Sequence, residues 1–464
     1  MEQCIRIDCQ VHFNGSALGT DDWDKVGRQM ARDASHGSFG EIQYFDHGAD
    51  GLVRHEVCLP NTKGVSDSAT IVLKLEPSIF PVEGGGLQHL LGVLSDTFGA
   101  GYARWGALSG EVRSVRLPFA TSKYRGPAHT VREIREAFQL NEGEPLLAFS
   151  VKPRVGLGKD DLLRVCTEVL SEGFHIVEVD TRDIGWLGMS DWIEISKAAA
   201  SVDAKRVTRF SCNLTIPWHK AEPKYRDLLA ATSHPRVVKV DVGYEGLGTM
   251  QALRDTFGNK DEAPIITCYP IIRNALGTCV PLDTLIEVAA LSGADIIYPG
   301  GRPSIPKLAG ENFENYRGTR STENLDESGR WRSVQRYADM IERGFPMPTV
   351  AGGIHPGELH AYYEWLGPDV AYFLGGAVAL HKDGHKHGAA LCRKIINHAL
   401  SSKPSSDLRV TKNLSTSLIK ECNDSYNSAK DFDANATAYV SPKALARHLE
   451  ESSGTNQFSF RTRT

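Results

Sequence analysis

From residue 145 onward the chain keeps one beat: a short apolar run, a longer stretch with helical spacing, then another run. The runs fall at residues 146–151, 175–180, 207–214, 237–242, 264–269, 294–298, 348–351 and 370–374. Short buried strands that alternate with helices point to a parallel sheet, because parallel neighbours need a long crossover between them. Eight such units match the size and beat of a (β/α)8 TIM barrel. A doubly wound open sheet is the rival. The runs end in polar residues or glycine, as barrel strands do where they carry a site, and this favours the barrel.

The segment before it has a different texture. Residues 4–12, 42–45 and 69–75 read as strands, and 21–34 and 87–97 as helices. That pattern predicts an α+β, ferredoxin-like layer with helices on one face of an antiparallel sheet. The expected organisation is therefore an N-terminal domain over 1–128, a barrel over 129–400 and a polar tail over 401–464. The tail is rich in Ser, Asn, Asp and Lys, with one short helical stretch at 444–451.

Bulk properties narrow the function classes. A formal charge of −5 gives no electrostatic reason to expect nucleic acid or an anionic membrane as partner. No apolar run has the length of a membrane span, and the start, MEQCIRIDCQ, is not patterned as a signal peptide. The 9 cysteines are scattered without a CxxC pair, so neither a disulfide framework nor a zinc site is indicated. A cytoplasmic protein is the expectation.

Barrels place their chemistry at the C-terminal ends of the strands. The first run delivers Ser150, Lys152 and Arg154 at alternate positions, on one side of the strand. The second delivers Ile176, Glu178 and Asp180 in the same way. Two cations then face two carboxylates at the mouth, as a satisfied ion-pair network or as a catalytic cluster; their place at the strand ends favours chemistry. The last two runs are followed by Gly352-Gly353 and Gly375-Gly376. Glycine lets backbone N–H groups come close to an anion, and barrels often bind phosphate with these two loops. Asn213, Asp241, Arg273 and Cys268 stand at or just after other strand ends, where packing roles compete with site roles. His355, His381, His385 and His387 have no metal-ligand spacing, and HKDGHKH reads as a solvated turn.

These motifs resemble the large chain of ribulose-bisphosphate carboxylase (RuBisCO). FSVKPRVGLG (149–158) is similar to that family's first catalytic strand, and GPAHTVREIREAF (126–138) to its entry into the barrel. YFLGGAVALHKDGHKHGAA (372–390) is similar to its last strand and phosphate-binding glycines. DASHGSF (33–39) resembles the loop that reaches into a partner subunit's site. The resemblance runs from about residue 5 to residue 398.

The resemblance implies a role for each matching position. Lys152 stands at the proton-shuttling lysine and Arg154 at a second active-site lysine. Glu178 stands where carboxylases carry the carbamylated lysine. Asp180 keeps one metal-binding acid, and Thr181 replaces the other. A weakened Mg2+ site through Asp180 and Glu178, or no metal at all, both fit this pattern. One phosphate pocket is kept, with Gly352, Gly353, Gly375, Gly376, Ser38, Phe39 and Lys307. In the other, Pro270, Tyr298 and Ala351 replace charged or polar groups.

The implied protein is a RuBisCO-like protein of form IV, without the carbamylated lysine and without carboxylase activity. It would act as an isomerase, enolising a monophosphorylated keto compound derived from a sugar. Lys152, Glu178 and Asp180 are the candidate bases, with Arg154 or a bound cation as electrophile. Two alternatives are a lyase that decarboxylates a 3-oxo sugar-acid phosphate, and a catalytically lapsed scaffold or phosphate-ester sensor. The family also implies a homodimer in which Ser38 and Phe39 act on the partner's site.

Overall fold

A computed structural model describes residues 4–13, 17–36, 52–60, 64–80, 86–99, 109–117, 124–152, 157–179, 187–243, 246–269, 280–299, 337, 339–352, 354, 356–401 and 415–425. The N-terminal part contains β1 (Ile5–His12), β2 (Leu18–Gly19), β3 (Val53–Cys58), β4 (Val65–Ser66), β5 (Ser68–Leu75) and β6 (Ser109–Arg116). Four of these form one antiparallel sheet in the order β3-β5-β1-β6. Ile5, Ile7, Cys9 and Val11 alternate along β1 and are all buried, which aims one face of the sheet at a core. The helix Thr20–His36 belongs to that core through Trp23, Val26, Met30 and Ala31. The Trp23 indole N–H donates to the Ser66 carbonyl at 3.1 Å, giving the one polar atom of a buried ring its partner.

The second part is the barrel. Its strands are β7 (Leu146–Ser150), β8 (Ile176–Glu178), β9 (Arg209–Asn213), β10 (Val237–Lys239), β11 (Ile265–Cys268), β12 (Ile296–Ile297), β13 (Met347–Ala351) and β14 (Ala371–Phe373). They run parallel and close in sequence order, with β14 returning to β7. Helices cross from strand to strand, and a capping box at Thr130 and Glu133 starts the helix Val131–Ala137 that leads into the barrel.

The interior is graded. Leu146, Ala148, Ile176, Val237, Ile265, Ile296, Met347 and Ala371 form an apolar floor, closed from below by Val131, Ile134 and Phe138. One step further along the strands, the same alternation delivers Glu178, Ser211, Lys239 and Thr267, all buried. The predicted fold class, an α/β barrel preceded by a small sheet domain, is the observed one.

In the segment expected to be a surface tail, the helix Thr416–Ser425 carries Leu418 and Cys422 into the hydrophobic core. Two apolar residues one helical turn apart are enough to dock a short helix, and the polar residues around them hid that signal. The strand expected at 42–45 and the helix expected at 444–451 lie outside the described residues.

Candidate active site

Glu178 ends β8, with its side chain only 4% exposed. Its Oε1 accepts a hydrogen bond from the Lys239 ammonium at 2.9 Å. Its Oε2 accepts from the Thr267 hydroxyl at 2.5 Å and from the Ser211 hydroxyl at 3.4 Å. Strand register brings these groups together. Ser150 pairs with Glu178 and Glu178 with Ser211, while Asn213 pairs with Lys239 and Lys239 with Thr267. A buried carboxylate is costly unless it is paired and hydrogen-bonded, and this one has both kinds of partner.

Lys239 also lies 3.9 Å from Asp241, whose Oδ1 accepts from the Tyr269 backbone N–H at 2.8 Å. Asn213 is buried beside them. Its Oδ1 accepts from the Thr215 N–H at 2.9 Å, and its Nδ2 has no hydrogen-bond partner among the described residues.

Lys152 follows β7 and donates to the Ser150 hydroxyl at 3.3 Å and to the Val151 carbonyl at 3.1 Å. Gly375 lies against it. A methyl group added there would stand 3.5 Å from Lys152 Cε and 3.8 Å from Nζ, so the absence of a side chain leaves the amine room beside the glycine pair. Gly352 has φ +85°, a left-handed conformation that disfavours any side chain. The Tyr298 hydroxyl donates to the Ala351 carbonyl at 3.0 Å, and the rings of Tyr269 and Tyr298 are 4.8 Å apart. The residues that follow β11 and β12 thus meet the end of β13 at an aromatic pair.

Lys152, Glu178, Gly352, Gly375 and Gly376 are therefore all at or near the C-terminal ends of barrel strands, with Lys152 directly against Gly375. Arg154, Asp180, Thr181, Ser38, Phe39, Lys307, Gly353, Pro270, Arg273 and His355 lie outside the described residues. Lys239 and His385 are among the groups that escaped the sequence reading. Lys239 sits two residues before Asp241, so the parity rule that linked Lys152 to Arg154 would have found it. His385, read as part of a solvated turn, has its Nε2 3.0 Å from the Lys152 carbonyl and ties the helix His385–Ser401 to the lysine's backbone. Cys268 is buried next to Asp241, and burial pushes its thiol well above the usual range, which is the wrong direction for a nucleophile.

The model of the ribulose bisphosphate carboxylase large chain catalytic domain matches residues 131–438. The chain belongs to the RuBisCO large-chain family. That match runs past the motif resemblance and takes in the helix Thr416–Ser425. Relatives include the ribulose bisphosphate carboxylase of Methanocaldococcus jannaschii, 22% identical over 82% of this chain and 89% of that one. That of Archaeoglobus fulgidus is 24% identical over 63% of this chain and 68% of that one. Among solved structures, the octameric RuBisCO of Pyrococcus horikoshii in complex with sulfate aligns with a TM-score of 0.69 at 18% identity, covering 98% and 95% of the two chains. The dimeric RuBisCO of Hyperthermus butylicus aligns at 0.65 and 17%, covering 97% and 96%.

RuBisCO enzymes use magnesium, so the fit of this site to a divalent ion follows from its donors. Magnesium requires oxygen ligands at about 2.1 Å in octahedral array. Both Glu178 oxygens already accept hydrogen bonds, one from an ammonium. A divalent ion on Oε1 would stand roughly 4 Å from that ammonium, and at an effective dielectric near 20 the two repel by about 8 kcal/mol. Among the described residues, the donor set does not fit a divalent metal.

Proposed function

We propose that this RuBisCO-family chain is not a carboxylase and that it enolises a monophosphorylated keto compound derived from a sugar. The observation that carries this reading is the Glu178–Lys239 pair. Where the carboxylases carry a lysine that CO2 converts to a carbamate, this chain has a carboxylate already matched by an ammonium. The remaining chemistry is the step before CO2 capture, removal of a proton from carbon beside a ketone.

Lys152 is the base in this reading. In its neutral form the amine takes the proton, the electron pair moves onto the carbonyl oxygen, and the ammonium returns the proton to either end of the enolate. Return to oxygen gives the enol; where the deprotonated carbon carries a hydroxyl, removal of that hydroxyl's proton and delivery of a proton to the former carbonyl carbon give the isomeric ketone or aldehyde. Glu178, with both oxygens engaged, sets the charge of the site and does not move the proton. In this reading the phosphate binds at the backbone N–H groups of Gly352, Gly353, Gly375 and Gly376, and the family resemblance adds Lys307 and the partner's Ser38 and Phe39 to its contacts. In this reading the Tyr269–Tyr298 pair lines the other end of the substrate, which favours a monophosphate.

Deuterium wash-in detected by NMR, on monophosphorylated ketoses and 3-oxo sugar-acid phosphates, tests this. Exchange beside the carbonyl is expected for the wild type. Lys152→Met should slow it by about 10²–10⁴-fold, the usual range for a positioned acid–base group. Binding of these compounds with no exchange on any of them would replace the enzyme with a phosphate-ester sensor. Fixation of labelled CO2 onto ribulose bisphosphate would overturn the exclusion of carboxylase activity.

A further inference from the structure

The buried centre of the barrel already holds a positive charge. Lys239 reaches it from β10, with its side chain 9% exposed, and meets Glu178 at 2.9 Å and Asp241 at 3.9 Å. Strand neighbours enclose the ammonium, so it cannot swing into solvent as a surface lysine does. Thr267 and Ser211 hold the far oxygen of Glu178 and fix the direction of the carboxylate. A lysine ammonium is a compact point charge with three donors, which suits it to the place of a small cation between two carboxylates.

We propose that Lys239 permanently occupies the cation position of this site, so that no divalent metal binds at Glu178, and that its charge balances the enolate. The role toward the enolate rests on the enolisation reading; the exclusion of a metal rests on the geometry alone.

The test uses Mn2+ as the probe, followed by electron paramagnetic resonance on the full-length protein after dialysis against EDTA. Wild type and Glu178→Gln should give the same Mn2+ isotherm. One Mn2+ per chain in the wild type that disappears in Glu178→Gln would overturn the proposal. Lys239→Met replaces the ammonium with an apolar group of similar length. When folded by circular dichroism it should gain one Mn2+ per chain, and Lys239→Met/Glu178→Gln should not. A folded Lys239→Met that gains none shows that no cation position exists there and also overturns the proposal. If Lys239→Met does not fold, the comparison of wild type with Glu178→Gln decides alone.

Wash-in gives the separate arm. EDTA should leave wild-type exchange within twofold of its untreated rate, and loss of exchange on EDTA treatment, restored by Mn2+, would overturn the proposal. A wild type that exchanges no substrate but shows the expected Mn2+ isotherms fails the enolisation reading and keeps the cation assignment.

Discussion

Two buried ion pairs stand at opposite ends of the same barrel and are built differently. At the N-terminal ends of the strands, Arg254 pairs with Asp295, and backbone closes almost every remaining valence. The guanidinium also donates to the Gly293 carbonyl at 2.9 and 2.6 Å and to the Pro264 carbonyl at 2.7 Å. The Asp295 carboxylate accepts from the backbone N–H groups of His129 at 2.9 Å and Ile266 at 2.7 Å. At the other end, the Glu178–Lys239 pair is joined by side-chain hydroxyls, and the amide of Asn213 beside it still has a donor to give. The first pair pins loops to strands. The second is a charged centre held by side chains, with hydrogen-bonding capacity left over. The fold commits its backbone to the first and side chains to the second.

The largest expected effect tests that contrast. Arg254→Met leaves Asp295 buried without its counter-charge, and breaking one half of such a pair costs about 3–5 kcal/mol in unfolding free energy. Replacing both halves of the mouth pair, as Glu178→Gln with Lys239→Met, removes both charges of that pair, leaves only the longer 3.9 Å contact to Asp241 unmatched, and should cost less than the Arg254 change. Urea unfolding separates the two, and wash-in should show the reverse order, with exchange lost in the double variant. Equal unfolding costs at the two ends would break the comparison.

How much of this was legible beforehand follows from the same physics. The barrel was visible because strand and helix periods are local, and β7 to β14 each fall inside or overlap a predicted run. Lys152, Glu178, Gly352, Gly375 and Gly376 could be placed at strand ends from the sequence because strand pattern and family motifs both mark them. That Lys239 touches Glu178 was not legible, since the two are separated by 61 positions and meet only when β9 brings β8 and β10 to its two sides. Thr267 and Ser211 were hidden for a simpler reason: a Thr or Ser in an apolar strand carries no signal until its neighbour is known. The helix Thr416–Ser425 was missed because two docking residues make a weak period.

The lower end of the barrel offers a second, intermediate effect, through pH. Glu144 and His175 lie just before β7 and β8, with Arg393 paired to the same carboxylate. Burial acts to raise the Glu144 carboxyl, but His175 and Arg393 outweigh it and hold it well below the usual carboxylate range. Burial also lowers His175, against the pull of Glu144, and its Nδ1 accepts from the Leu147 N–H at 3.1 Å, a bond that protonation would break. Both folded values lie below the unfolded ones, so both groups contribute stability that is present at higher pH and lost on acidification. The loss should begin below about pH 6.5 through His175 and continue below about pH 4.3 through Glu144. Urea midpoints measured from pH 8 to pH 4 should fall along that course, and His175→Gln should flatten the part between pH 7 and pH 5. A midpoint indifferent to pH down to 5 would take His175 out of this account.

Asn213 should give the smallest change in stability and the sharpest distinction between the two ends. A buried amide donor without a partner costs about 1–3 kcal/mol, and Asn213→Ala removes that cost together with the acceptor that holds the Thr215 N–H. The two changes oppose each other, so the unfolding free energy should move by less than about 1 kcal/mol. If the amide completes its hydrogen bonding on the substrate's enolate oxygen, wash-in should still slow by about 10- to 100-fold, the worth of one hydrogen bond to a charged oxygen, roughly 1.5–3 kcal/mol in the barrier. Unchanged exchange with a clear loss of stability would place Asn213 with Arg254 and Asp295, as part of the frame. Slower exchange on an equally stable protein is what a donor left unsatisfied by the fold, and satisfied by a ligand, must produce.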